Sequence, residues 1–234
     1  VRARFRFTKA GKVRFLGHRD LARVLERGLR RAGVPVAYSE GFSPRPRLSF
    51  GLALPTGFES DAEYFDADLQ GDVDPAGLLG PVSDALPPGI DLTAAMAVPP
   101  GAGSLQQLVT GCSWRLELLG APVAAVSASS RRLLDATALP LERQRKGKTA
   151  TVDVRPQLRS LRVEGPTVDG VALLADLDTE PVAVRPSELV ELLGGTASLG
   201  RGRRLSQWIT VDGARTELPP VPAASTRHAQ SRAS

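Results

Sequence analysis

The residue type this chain carries in excess is arginine. Residues 1–50 hold thirteen Lys or Arg and three acids (Asp20, Glu26, Glu40), a local balance of +10 against +5 for all 234 residues. Residues 51–114 hold no Lys or Arg and nine acids. Charge segregated this sharply makes one region strongly positive, and such a field attracts polyanions and speeds their encounter. Guanidinium is a planar fork of donors that matches phosphate. The polyanion these residues fit is RNA, with tRNA and rRNA both open.

The order of residue types says how the arginines are held. Arg2, Arg4 and Arg6 alternate with Ala3, Phe5 and Phe7, which predicts a half-buried strand with an arginine face. Leu21, Val24, Leu25, Gly28, Leu29 and Ala32 then form an amphipathic stripe, predicting a helix over about His18 to Ala32. Arg19, Arg23 and Arg30 fall opposite that stripe, with Arg27 beside them. Residues 38–50 follow as a loop into a strand. Gly41 permits a left-handed turn, and Pro44 and Pro46 stiffen the backbone that presents Arg45 and Arg47. Tyr38 and Phe42 offer faces on which bases of single-stranded RNA would stack. Phe50 reads as core, while Phe42 fits core and stacking equally.

Other clusters carry less chemistry. Arg145, Lys146, Lys148 and Arg155 belong to a second basic run, with Lys146-Gly147-Lys148 as a hairpin tip. Arg201, Arg203 and Arg204 sit in a Gly-rich stretch that reads as a surface loop. His18, at the first strand–helix junction, has the chemistry of a general base, but a lone histidine is more often structural. The one cysteine, Cys112, excludes an internal disulfide and a cysteine-held cluster. No nucleotide-loop, hydrolase or metalloprotease fingerprint is present. The reading is therefore no cofactor, no metal and no catalysis by the chain alone. No apolar run is long enough to span a membrane, and no signal-peptide core is visible, so the expected location is cytoplasmic.

Stepping through the pattern gives β-α-β-β-α-β over residues 1–100 and the same order, more faintly, over 105–213. The expected fold class is α+β, two tandem ferredoxin-like domains. Pro99 to Ser104 is the expected linker, and residues 214–234, rich in Pro, Ala, Ser and Thr, the expected disordered tail.

Three strings carry a resemblance: FLGHRDL from Phe15, YSEGFSPRPRLSFG from Tyr38 and LPTGFES from Leu54. With VDVRPQLRSL at Val152 to Leu161, they resemble the radical SAM-linked protein family, a domain of unknown function. In that family the domain is fused behind a radical SAM module or encoded beside one. The resemblance thus implies a radical SAM protein as partner, this chain being the separate form. The domain order is also similar to RAMP-type CRISPR endoribonucleases, some of which place a catalytic histidine where His18 lies. The first expectation is an RNA-binding accessory module for a radical SAM enzyme, plausibly in RNA modification. The alternatives are a metal-independent endoribonuclease using His18 and a protein-only adaptor that docks an acidic partner.

Overall fold

The computed structural model describes residues 1–145 and 147–220, with the backbone alone at Arg145 and Lys148. The chain is mixed α+β, dominated by antiparallel sheet with few helices. It divides into two compact units. One is Val1–Val109 together with the chain from Thr210; the other is Thr110–Ile209.

The first unit runs β1 (Arg2–Lys9), α1 (His18–Arg31), β2 (Leu48–Phe50), β3 (Glu59–Asp68), α2 (Leu79–Ala85) and β4 (Leu92–Ala97). In space the strands lie β4-β1-β3-β2, every neighbouring pair antiparallel. α1 forms where the apolar stripe was read. Leu21, Leu25, Gly28 and Leu29 are buried, and they meet Phe5, Phe7 and Phe65 of the sheet in one core. Phe5 and Phe65 stack with ring centroids 5.0 Å apart. Phe50 packs against this core from β2, as its reading as a core residue implied.

One turn was not foreseen, and two expectations are corrected here. Gly11–Phe15 is a 3-10 turn, begun at Gly11 with φ +65 and wrapped around the Lys9 ammonium, which donates to the carbonyls of Leu16 (2.8 Å) and Arg14 (3.2 Å). The linker reading of Pro99 to Ser104 also moves. α3 (Leu105–Leu108) follows it and stays with the first unit, because Leu105 and Val109 are buried apolar side chains. The tail does not begin at Ala214. Ala214–Glu217 is a strand, β11, and Leu218 after it is fully buried. The rest of the expected tail, 221–234, lies outside the described residues.

The second unit runs β5 (Gly111–Leu119), α4 (Val123–Asp135), the hairpin β6 (Pro140–Arg145) and β7 (Lys148–Asp153), β8 (Leu158–Pro166), β9 (Gly170–Asp178), α5 (Pro186–Leu193) and β10 (Ser198–Val211). Its strands lie β10-β5-β9-β8, again all antiparallel. Leaving aside the β6–β7 hairpin, this is the permutation of the first unit repeated. β5 alternates, burying Cys112, Trp114, Leu116 and Leu118 and leaving Arg115 exposed. The glycine-rich stretch before Arg204 is strand rather than loop, and Arg204 is buried with its guanidinium 4.8 Å from the Trp114 ring.

Candidate functional site

The exposed face of α1 is dominated by arginine. Arg19, Arg23, Arg27, Arg30 and Arg31 are all exposed. Arg19, Arg23, Arg27 and Arg31 recur every four residues. That places one guanidinium stem per about 6 Å of helix axis, in a row inclined to it by about 26°. Among the described residues, Asp20 pairs with Arg23 at 3.3 Å, with both side chains more than half exposed. A pair so open to water is worth little and yields to a better anion. Arg30 and Arg31 also sit in the last helical turn, where positive charge favours the helix itself.

α1 ends at Arg31, and the chain enters a second exposed element at Tyr38. Tyr38 bridges to Pro46; the Ser39 backbone N–H donates to the Arg45 carbonyl at 2.9 Å, and Arg45 N–H donates to Ser39 Oγ at 3.0 Å. These bonds fold 38–46 into a short finger. Gly41, with φ +117, takes a backbone conformation that other residues rarely adopt. Phe42 at the tip is 110% exposed and Tyr38 48% exposed, so Phe42 is not core. At the base of the finger Arg2 and Arg47 approach one carboxylate, Asp68, at 3.3 and 3.5 Å. Both arginines stay about half exposed or more, and Arg45 is exposed. The finger thus joins two bare aromatic faces to cations incompletely neutralised by one acid.

Arg4 and Arg6 do not belong to this surface, which corrects the expectation of a solvent-facing arginine strand. Strands β1 and β3 pair Arg4 with Asp66 and Arg6 with Tyr64. Arg4 makes a two-bond fork to Asp66, 2.8 and 3.1 Å, with both side chains nearly inaccessible. Arg6 pairs with Glu217 at 2.9 Å and lies 6.0 Å from the Tyr64 ring. Tyr64 in turn donates to the Leu218 carbonyl at 2.7 Å. Burial holds the Tyr64 phenol far above its ordinary titration range. From Ala3 the strand is buried because β3 answers Arg4 with Asp66 in register, and Glu217 and Leu218 cover Arg6 and Tyr64. The signal was available: Tyr64, Asp66 and Asp68 alternate just as Arg2, Arg4 and Arg6 do.

His18 opens α1 after the N-cap Gly17 and is exposed. Its ring meets Phe50 edge-on at 5.2 Å. Together with Lys9, Glu63 and Tyr64 it lines a narrow pocket of about 20 Å³, room for a water molecule. Among the described residues, no group of three or more His, Cys, Asp or Glu is placed to hold a metal ion.

The second basic cluster is largely structural where it is described. Arg155 donates to the carbonyls of Leu134 (2.5 Å), Leu158 (2.9 Å) and Ala136 (3.1 Å), closing the end of α4. Its guanidinium is used up on backbone, which corrects the reading of Arg155 as an open cation. Lys146 and the side chains of Arg145 and Lys148 lie outside the described residues. Sequence reading also passed over Arg31 as a member of the α1 row, although the four-residue spacing from Arg19 was visible.

No helix among the described residues is long and apolar enough to cross a membrane. Among solved structures, the chain is similar to a chain of the "Crystal Structure of a Cbf5-Nop10-Gar1 Complex", with 10% identity and a TM-score of 0.47. That match covers 88% of this chain and 48% of the other, so this chain spans about half its length. No curated protein matches. The family described as "Uncharacterized protein conserved in bacteria (DUF2344)" matches residues 2–186, most of the chain and the whole of the arginine row and finger, and the chain belongs to that family.

Proposed function

We propose that the chain is an RNA-binding accessory module that acts in the cytoplasm beside a radical SAM enzyme, in RNA modification. The observation that carries the RNA half is the α1 row: five exposed arginines on one helix, followed in the chain by a finger that exposes two aromatic rings. Phosphate binds the row and Arg2, Arg45 and Arg47; bases stack on Tyr38 and Phe42. The partner half rests on the resemblance of Phe15–Leu21, Tyr38–Gly51 and Leu54–Ser60 to radical SAM-linked proteins. The repeated strand permutation supports taking both units as ferredoxin-like folds, a frame that carries many unrelated functions and names none.

The test is RNA affinity as a function of salt. Each phosphate neutralised on a single strand contributes about 0.7 to the slope of log affinity against log salt. Replacing Arg19, Arg23 and Arg30 together by Gln should flatten that slope by about 2 and weaken binding. An unchanged slope removes α1 from the site. The same incubation in EDTA should leave the RNA intact; specific cleavage abolished by His18→Ala would replace this reading with the nuclease.

A further inference from the structure

α1 and α2 approach each other closely at Gly28. A Cβ there would stand 2.5 Å from Leu86 Cδ2, so the contact needs a residue without a side chain. Beside that contact the two helices leave an open groove of about 540 Å³. This lies inside the range of small-ligand clefts, about 300–1,000 Å³. Its floor is apolar, made by Val24, Ala85 and Leu86. Arg27 and Arg31, exposed and one helical turn apart, form one rim, and the carboxylate of Asp84 stands on the other.

Two parts of this groove select for one kind of group. An apolar floor takes a flat, weakly polar face. Two guanidiniums on one rim take anions spaced along a chain. A nucleotide within a strand has both, a planar base and flanking phosphates. An acidic peptide would satisfy the arginines but offers the floor no plane.

We infer that the α1–α2 groove is a base-binding subsite of the RNA interface. One base lies on Val24, Ala85 and Leu86, and its neighbouring phosphates meet Arg27 and Arg31. The inference rests on the RNA reading of α1 and extends it from the backbone to a base. It also gives Arg27 and Arg31 the same role as Arg19 and Arg23, so the strand follows the row along the helix.

The experiment compares an oligoadenylate with an abasic strand of equal length, by fluorescence anisotropy, on the full chain. The wild type should bind the base-bearing strand more tightly, and Ala85→Phe, which fills the groove and leaves every arginine in place, should narrow that gap by about tenfold, the scale of one stacked base. Adding Tyr38→Ala and Phe42→Ala should close what is left. Affinity for the abasic strand should not change in Ala85→Phe. If Ala85→Phe fails to fold, Ala85→Leu fills part of the same space with a good helix former and should shift the gap in the same direction. A gap untouched by the filling variant overturns the subsite while RNA binding stands. A wild type that binds neither strand overturns both. Displacement of the oligonucleotide by polyglutamate from the wild type, lost in Ala85→Phe, assigns the groove to an acidic peptide and also overturns the subsite.

Discussion

Arg4 on β1 and Arg23 on α1 carry the same guanidinium into opposite surroundings. Arg4 lies under the sheet surface, forked onto Asp66 with both side chains about 5% accessible. Arg23 stands 70% exposed beside an equally open Asp20. Counting charge treats the two alike. What separates them is the element that faces each one. β3 presents an acid opposite each of Arg2 and Arg4, whereas among the described residues the arginines on the outer face of α1 stay exposed. A basic segment is open to a polyanion only where its own fold leaves its cations exposed, and here the strand half fails that condition while the helix keeps its arginines exposed.

Breaking the buried pair should have the largest effect. Arg4→Ala strands an uncompensated Asp66 and should destabilise the chain by about 3–5 kcal/mol in chemical denaturation. Arg23→Ala should change stability by less than about 0.5 kcal/mol and weaken RNA binding instead. Replacing the pair together, Arg4→Met with Asp66→Leu, should recover most of the loss. Equal stability losses at Arg4 and Arg23 would erase the distinction drawn between the two arginines.

A smaller effect is expected at Tyr64. Tyr64→Phe leaves the Leu218 carbonyl without its donor and should cost about 1–2 kcal/mol. The pH profile sharpens this. The phenol titrates higher when folded than unfolded, so its contribution is complete below the ordinary tyrosine value of 10.0 and is lost as pH rises beyond it. Wild type should weaken on the alkaline side more than Tyr64→Phe does; parallel profiles would mean the phenol is not held by that contact.

The smallest effect belongs to the second unit. Asp153 accepts from the backbone N–H groups of Leu139 (2.7 Å) and Arg155 (3.0 Å), and these bonds hold its carboxyl below the ordinary range. A depressed folded pKa gives stability above the unfolded value that disappears as pH falls through the folded one. Amide exchange at Leu139 should quicken, relative to its intrinsic rate, as the solution becomes acid. Asp153→Asn should flatten that dependence. Exchange at Leu139 that keeps its acid dependence in Asp153→Asn would show that other groups close the hairpin base.

Helices were the most legible part of the sequence. The stripe from Leu21 to Leu29 and the Pro186 start of α5 are short-range signals, complete within a dozen residues. The exposed arginines of α1 followed from the same periodicity. What sequence could not weigh was pairing across distance. Arg4 meets an acid 62 residues away, and Arg6 meets Glu217 near the end of the described chain. Period-two alternation says which residues share a face, not whether that face meets water or another segment. The groove between α1 and α2 was invisible for the same reason, since it exists only where Gly28 and Leu86 come together.

The bond from Tyr64 to Leu218 has a consequence for how this chain is made. This bond spans 154 positions of the chain, and the first unit combines residues before Thr110 with residues after Ile209. Until those emerge, Arg6 has no Glu217, and the nascent first unit is an unfinished object. Closing so long a loop would cost on the order of 4 kcal/mol of chain entropy by the logarithmic rule. The second unit shortens it: once folded, it holds Thr110 and Trp208 within a 2.8 Å hydrogen bond, so its two ends leave side by side. A folded second unit therefore lowers the entropic cost of bringing Glu217 and Leu218 to Arg6 and Tyr64.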